Sequence, residues 1–116
     1  MTIPEFLVEL AADIVATGVT PRLTAYMSLP AVIDFGTKDS NPICALQFFT
    51  ERRATNHREG LANRMQQLGM SHDDAWKIMC CNDGYDYRHM AGDCSEGSGD
   101  YDPAVRAGLL KACGLA

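Results

Sequence analysis

The sequence predicts an all-α fold: a compact single-domain bundle of about five to six short helices spanning residues 1–116, with one long Gly/Asp/Tyr-rich loop before the C-terminal helix. Three observations predict it. Apolar residues recur at three- and four-residue spacing in successive segments. Ser, Thr, Asn or Asp precedes those segments, often with Pro or Glu close behind, and Gly closes several of them. No segment alternates convincingly with the two-residue period of a strand. At 116 residues, 47% apolar and 22% charged, the chain has the size and composition of one globular domain. A domain of that size buries roughly two-thirds of its unfolded surface, enough to hold together without a metal or disulfides.

Thr2-Ile3-Pro4-Glu5 opens the first helix, with Thr2 as cap and Glu5 reaching back as its capping-box partner. Ile3, Phe6, Leu7, Leu10, Ile14 and Val15 share an inward face, and Gly18 ends the helix. The outward face carries Glu5, Glu9 and Asp13 at four-residue spacing. This acidic ridge is either a solvated surface or a face that meets something basic. Thr20-Pro21 starts a short second helix with Leu23, Tyr26 and Met27 inward. Ser28-Leu29-Pro30 opens a further turn or two through Ala31, Val32, Ile33 and Phe35 to Gly36, with a bend at Pro30. Thr37 to Asn41 is a polar loop.

Asn41-Pro42 begins the helix Pro42–Arg53. Its wide apolar arc of Ile43, Ala45, Leu46, Phe48 and Phe49 marks it as the central element. Asn56-His57-Arg58-Glu59 reads as a second capping box, opening a helix with Leu61, Met65 and Leu68 inward and stopping at Gly69. Ser71-His72-Asp73-Asp74 reads as a third, before a helix with Ala75, Ile78 and Met79 inward and Trp76 flanking. From Gly84 to Asp102 the helical pattern disappears, and a loop of that length is usually functional or disordered. Asp102-Pro103 then starts the last helix, with Val105, Leu109, Ala112 and Cys113 inward and Gly114 closing it.

The amino terminus lacks the basic start and unbroken apolar stretch of a secretory signal, and no apolar run is long enough to span a bilayer. The expectation is a cytoplasmic protein with no membrane partner. Cys44, Cys80, Cys81, Cys94 and Cys113 form no CxxC pair, which points to reduced thiols. Cys80, Cys81, His89 and Cys94, with His72 nearby, supply ligand types for zinc, but their spacing does not form the half-sites of a finger or knuckle. The acids Asp83, Asp86, Asp93, Glu96, Asp100 and Asp102 lack the alternate-position pattern of an EF-hand. No phosphate loop, nucleophile elbow or HExxH occurs. The sequence therefore calls for no cofactor and no catalytic residue, with a thiol- or metal-dependent enzyme as the remote alternative.

The stretch Met65-Gln66-Gln67-Leu68-Gly69-Met70-Ser71, followed by Ala75 and Ile78, resembles a helix-turn-helix. That resemblance implies a DNA-binding regulator using residues 61–79, tested by duplex binding that depends on Arg58 and Arg64. The same stretch resembles the first two helices of a ubiquitin-associated domain, whose Met-Gly-Phe loop is here Leu68-Gly69-Met70. Both patterns are broken: His72-Asp73-Asp74 would repel phosphate, and no third helix follows closely. With a net charge of −5, direct DNA binding is not expected.

Arg52, Arg53, His57, Arg58 and Arg64 form the one basic cluster, and it either pairs with the chain's own acids or contacts an acidic partner. Tyr85, Tyr87, Arg88 and Tyr101, with Asp100, stand among acids and glycines in the long loop. Tyrosine and arginine often dominate interface energetics. The expected function is a non-enzymatic module that binds another protein or a protein–nucleic acid complex through Tyr85, Tyr87, Arg88, Asp100, Tyr101, Arg52, Arg53, Arg58 and Arg64. In size and composition alone it resembles phage-encoded accessory inhibitors of host defence, such as anti-CRISPR proteins.

Overall fold

A computed structural model describes residues 1–36, 41–85 and 101–116. Among them are five helices and a two-stranded antiparallel sheet, so the all-α expectation is corrected. Helix α1, Ile3–Thr17, is capped as the sequence predicts: Thr2 accepts from the Glu5 N–H, and the Glu5 carboxylate accepts from the Thr2 N–H at 2.9 Å. It ends at Gly18, whose φ of +71° suits a residue without Cβ. Phe6 and Leu10 are buried, but Val15 is solvent-exposed, against the expectation that it faces inward.

Residues 20–36 are the main correction. Strand β1 (Arg22–Tyr26) and strand β2 (Leu29–Asp34) form a hairpin joined by the two-residue turn Met27-Ser28. Leu23 pairs with Ile33, and Thr24 with Val32. The register then shifts, so that Pro30 and Ala31 of β2 lie opposite the single Ala25 before Tyr26 meets Leu29. Proline, read as a helix start, sits in this bulge, where no ladder hydrogen bond is demanded of it. The β-branched and aromatic residues Thr24, Tyr26, Val32 and Ile33 suit a pleated surface. Their alternation is hidden because the end of β2 is buried without interruption from Val32 to Asp34.

The next two helices begin later than the sequence suggests. Helix α2 is Ala45–Glu51 rather than Pro42–Arg53, with Cys44 as N-cap, its sulfur accepting from the Gln47 N–H. The preceding residues are held against the end of β2: the Ile43 carbonyl accepts from the Phe35 N–H, and the Ile43 N–H donates to Asp34. Helix α3 is Leu61–Gln67. Asn56 to Glu59 forms a turn before it rather than a helix start, with the Asn56 side chain accepting from the Arg58 N–H.

Helix α4, His72–Asp83, starts at Ser71, which accepts from the Asp74 N–H, and packs against β2, α2, α3 and the C-terminal helix α5, Pro103–Ala112. It occupies the centre that the sequence assigned to α2. Asn82, fully buried, binds three neighbours: its Oδ1 accepts from the Ala45 N–H, and its Nδ2 donates to the Ile33 carbonyl and to Asp83. Phe6, Leu10, Ile33, Leu46, Phe49, Met65, Met70, Ile78 and Leu109 join in one apolar cluster, each contributing about 1.5–3 kcal/mol through burial. The Phe6 and Phe49 rings meet at 4.7 Å. No helix among the described residues is long and apolar enough to cross a membrane.

Candidate functional site

Three of the four arginines of the basic cluster, Arg52, Arg53 and Arg64, are used within the fold. Arg53 Nη1 donates to Asp13 Oδ2 at 2.7 Å and to the Phe49 carbonyl at 2.9 Å, and its guanidinium carbon lies 3.4 Å from the Phe49 ring centroid. Glu9 is 3.5 Å from Arg53, and Arg52 is 3.6 Å from Asp13. The acidic ridge of α1 therefore meets the chain's own Arg52 and Arg53. Arg64 donates to the Glu59 and His57 carbonyls at 3.0 and 3.1 Å, strapping the turn before α3. Arg58 is exposed, and its side chain is the arginine of the cluster with no such role among the bonds described.

Tyr85 is half-buried just past α4, where its N–H donates to the Cys80 carbonyl. Tyr101 is half-buried and packs on the apolar core. Tyr87, Arg88 and Asp100 lie outside the described residues, as do His89 and Cys94 of the zinc question and Asp86, Asp93 and Glu96 of the calcium question. Arg52 and Arg53 lie on the α1–α2 seam, whereas Tyr85 follows α4 and Tyr101 precedes α5.

A different surface stands out. Leu23, Tyr26 and Met27 are 45%, 36% and 87% exposed, so the three side chains expected inward decorate the hairpin's outside. Met27 has φ +54°, in the left-handed region where hairpin turns prefer Gly or Asn. A bulky apolar residue there costs about 1–2 kcal/mol of backbone strain and gains little by burial. Comparison with protein-family models, curated proteins and solved structures finds no match.

The base of the hairpin is firmly built. Asp34 accepts from the Gly36 and Ile43 N–H groups through Oδ1 and from Arg22 through Oδ2, at 2.8 to 3.1 Å. Burial pushes its carboxyl up, but those donors outweigh burial and hold it below the ordinary value. Arg106 of α5 donates to the carbonyls of Cys81, Asn82 and Ala31 at 2.7 to 3.0 Å, tying the end of α4 to the β2 bulge. Sequence reading missed Arg106, Asn82 and Asp34, each of which has partners between 9 and 75 residues away. The Asn82-Asp83-Gly84 run was the available signal for the end of α4.

Among the described residues, the thiols of Cys80, Cys81 and Cys113 are buried and that of Cys44 is half-buried beside the core. Burial pushes Cys44 up to about 11 and Cys113 up to about 12, and raises Cys81, whose Sγ donates to the Asp102 carbonyl. A thiol so placed is a poor nucleophile. Among the described residues no group of three or more His, Cys, Asp or Glu could hold a metal ion. The helix-turn-helix candidate is a true corner, α3 to α4 through Gly69. Its second helix packs against four other elements, and the acids Asp73 and Asp74 stand in its first turn.

Proposed function

We propose that the chain is a non-enzymatic protein-binding module whose contact element is the β1–β2 hairpin, engaging another protein or a protein–nucleic acid complex. The observation that carries this reading is Met27: an apolar side chain almost fully in water, on a backbone conformation that disfavours it, at the tip of a rigidly based hairpin. Strain kept where it contributes nothing to packing is best accounted for by a contact made elsewhere. Leu23 and Tyr26 add exposed apolar side chains on the two faces of β1, and aromatic and apolar anchors of this kind dominate interface energetics. The loop residues Tyr87, Arg88 and Asp100 belong to the same proposal as a second contact.

The test replaces Met27 with a photo-crosslinking residue and identifies what it captures in cells that express the chain natively. Met27→Gly relieves the turn, so the fold should gain about 1 kcal/mol in urea denaturation while partner capture falls at least tenfold. Capture unchanged in Met27→Gly and in Leu23→Ser/Tyr26→Ser, yet lost in Arg58→Ala, would move the contact to the basic cluster and sink the hairpin reading.

A further inference from the structure

We infer that β1 pairs edge to edge, antiparallel, with β1 of a second copy of this chain, joining two hairpins into one four-stranded sheet. The inference deepens the reading of the hairpin as the contact element and rests on it. Among the described residues the backbone of β1 hydrogen-bonds to no strand but β2, and apart from the long 3.5 Å bond that the Ala25 carbonyl accepts from Thr24 Oγ1, no described bond reaches its outer edge.

Proteins usually guard such an edge with lysine, proline, a bulge or an inward charge. Here the guards are on the wrong strand for that purpose. Pro30 and the bulge belong to β2, which is already covered by α4, and β1 reads Arg22-Leu23-Thr24-Ala25-Tyr26 with neither proline nor lysine. Its one charge, Arg22, is drawn back onto Asp34 at 3.0 Å.

The strand is also complementary to itself. An antiparallel pair centred on Thr24 sets Thr24 opposite Thr24, Leu23 opposite Ala25, and Arg22 opposite Tyr26. No like charges face each other, and threonine pairs are favourable across strands. A twofold pairing of this kind closes on itself and stops at two copies. It also turns a two-stranded ribbon into a sheet of ordinary size.

Sedimentation across a concentration series tests this with the full chain. The expected result is a reversible shift from 12.7 kDa to twice that mass. Ala25→Lys, which adds the missing guard without touching the β2 ladder, should weaken the dimer at least tenfold. Thr24→Pro should abolish it. Because proline could unfold the hairpin, a register test stands beside it. Directly opposed residues hold their Cβ atoms about 4.5–5.5 Å apart, within reach of a disulfide. In a Cys94→Ser background, Thr24→Cys should crosslink two chains under copper-phenanthroline oxidation, and Ala25→Cys should not. A chain that stays monomeric at every concentration overturns the inference. So does a dimer unaffected by Ala25→Lys, or one crosslinked equally from positions 24 and 25. A monomer that still captures a partner through Met27 overturns self-pairing alone and leaves the proposed function standing.

Discussion

Asp34 is 1% exposed and ionised, and it joins the end of β2 to the segment that leads into α2. Its carboxyl titrates below the ordinary 3.8 because the Ile43 and Gly36 N–H groups and Arg22 outweigh burial. A carboxyl with a lowered folded value contributes stability that is present above the unfolded value and lost as pH falls through the folded one. Urea denaturation should therefore show stability declining as the pH drops below 3.8. Asp34→Asn should lack that part of the decline and should be less stable at neutral pH by about 1.5–3 kcal/mol, the worth of hydrogen bonds to a charged group. An unchanged acid limb in Asp34→Asn would show that the carboxylate is not the group being protonated.

At the scale of elements, Arg106 decides how α4, α5 and the hairpin fit together. Helix α4 ends with carbonyls that have no partner within the helix, and a cation there is favoured both by hydrogen bonding and by the helix dipole. Arg106 supplies it, and its second amino group reaches the Ala31 carbonyl in the bulge of β2. Arg106→Met keeps most of the side-chain volume and removes the donors. The expected loss is about 2–3 kcal/mol, with amide exchange accelerating first in β2 because its anchor to α5 is gone. Equal acceleration in α1, which Arg106 does not touch in any bond described, would argue for general loosening instead. The acidic ridge and the arginine cluster make the complementary point about elements. Each is ambiguous alone, and the seam between α1 and α2 joins them through Asp13 and Arg53.

The molecule as a whole packs every described helix and β2 into one apolar cluster, with Cys81 and Cys113 among its members and Cys44 at its margin. Burial lifts Cys44 to about 11 and Cys113 to about 12 from the ordinary 9.0. For a raised thiol, the unfolded chain ionises first, so stability is whole below the ordinary value and falls as pH climbs from 9.0 through the folded values. In the native protein Cys44, Cys80, Cys81 and Cys113 should resist a thiol reagent at mildly alkaline pH and react at the rate of global unfolding. Mass spectrometry of the labelled peptides reads this directly. Fast labelling at Cys81 or Cys113 without unfolding would mean that the core opens locally.

What the sequence by itself determined were the features written in neighbouring residues. Thr2, Ser71 and Asp102 are caps in the structure as they are in the sequence, and Gly18 closes α1, because a cap needs only partners within about a turn. The corner at Gly69 and most of the apolar core were legible for the same reason, since helical periodicity is local. Tertiary structure decided the rest. The segment 20–36 carries proline starts and apolar clusters that suit a short helix, and it becomes a hairpin because α4, Arg106 and Ile43 hold β2 extended from positions outside the segment. The start of α2 moves to Ala45 because Ile43 is bonded to Phe35 and Asp34 first. Likewise, nothing near Arg53 announces Asp13, 40 residues away. Local hydrogen bonds are settled by residue identity, whereas long-range ones depend on which elements the packed core brings into contact, and no short stretch of sequence contains that information.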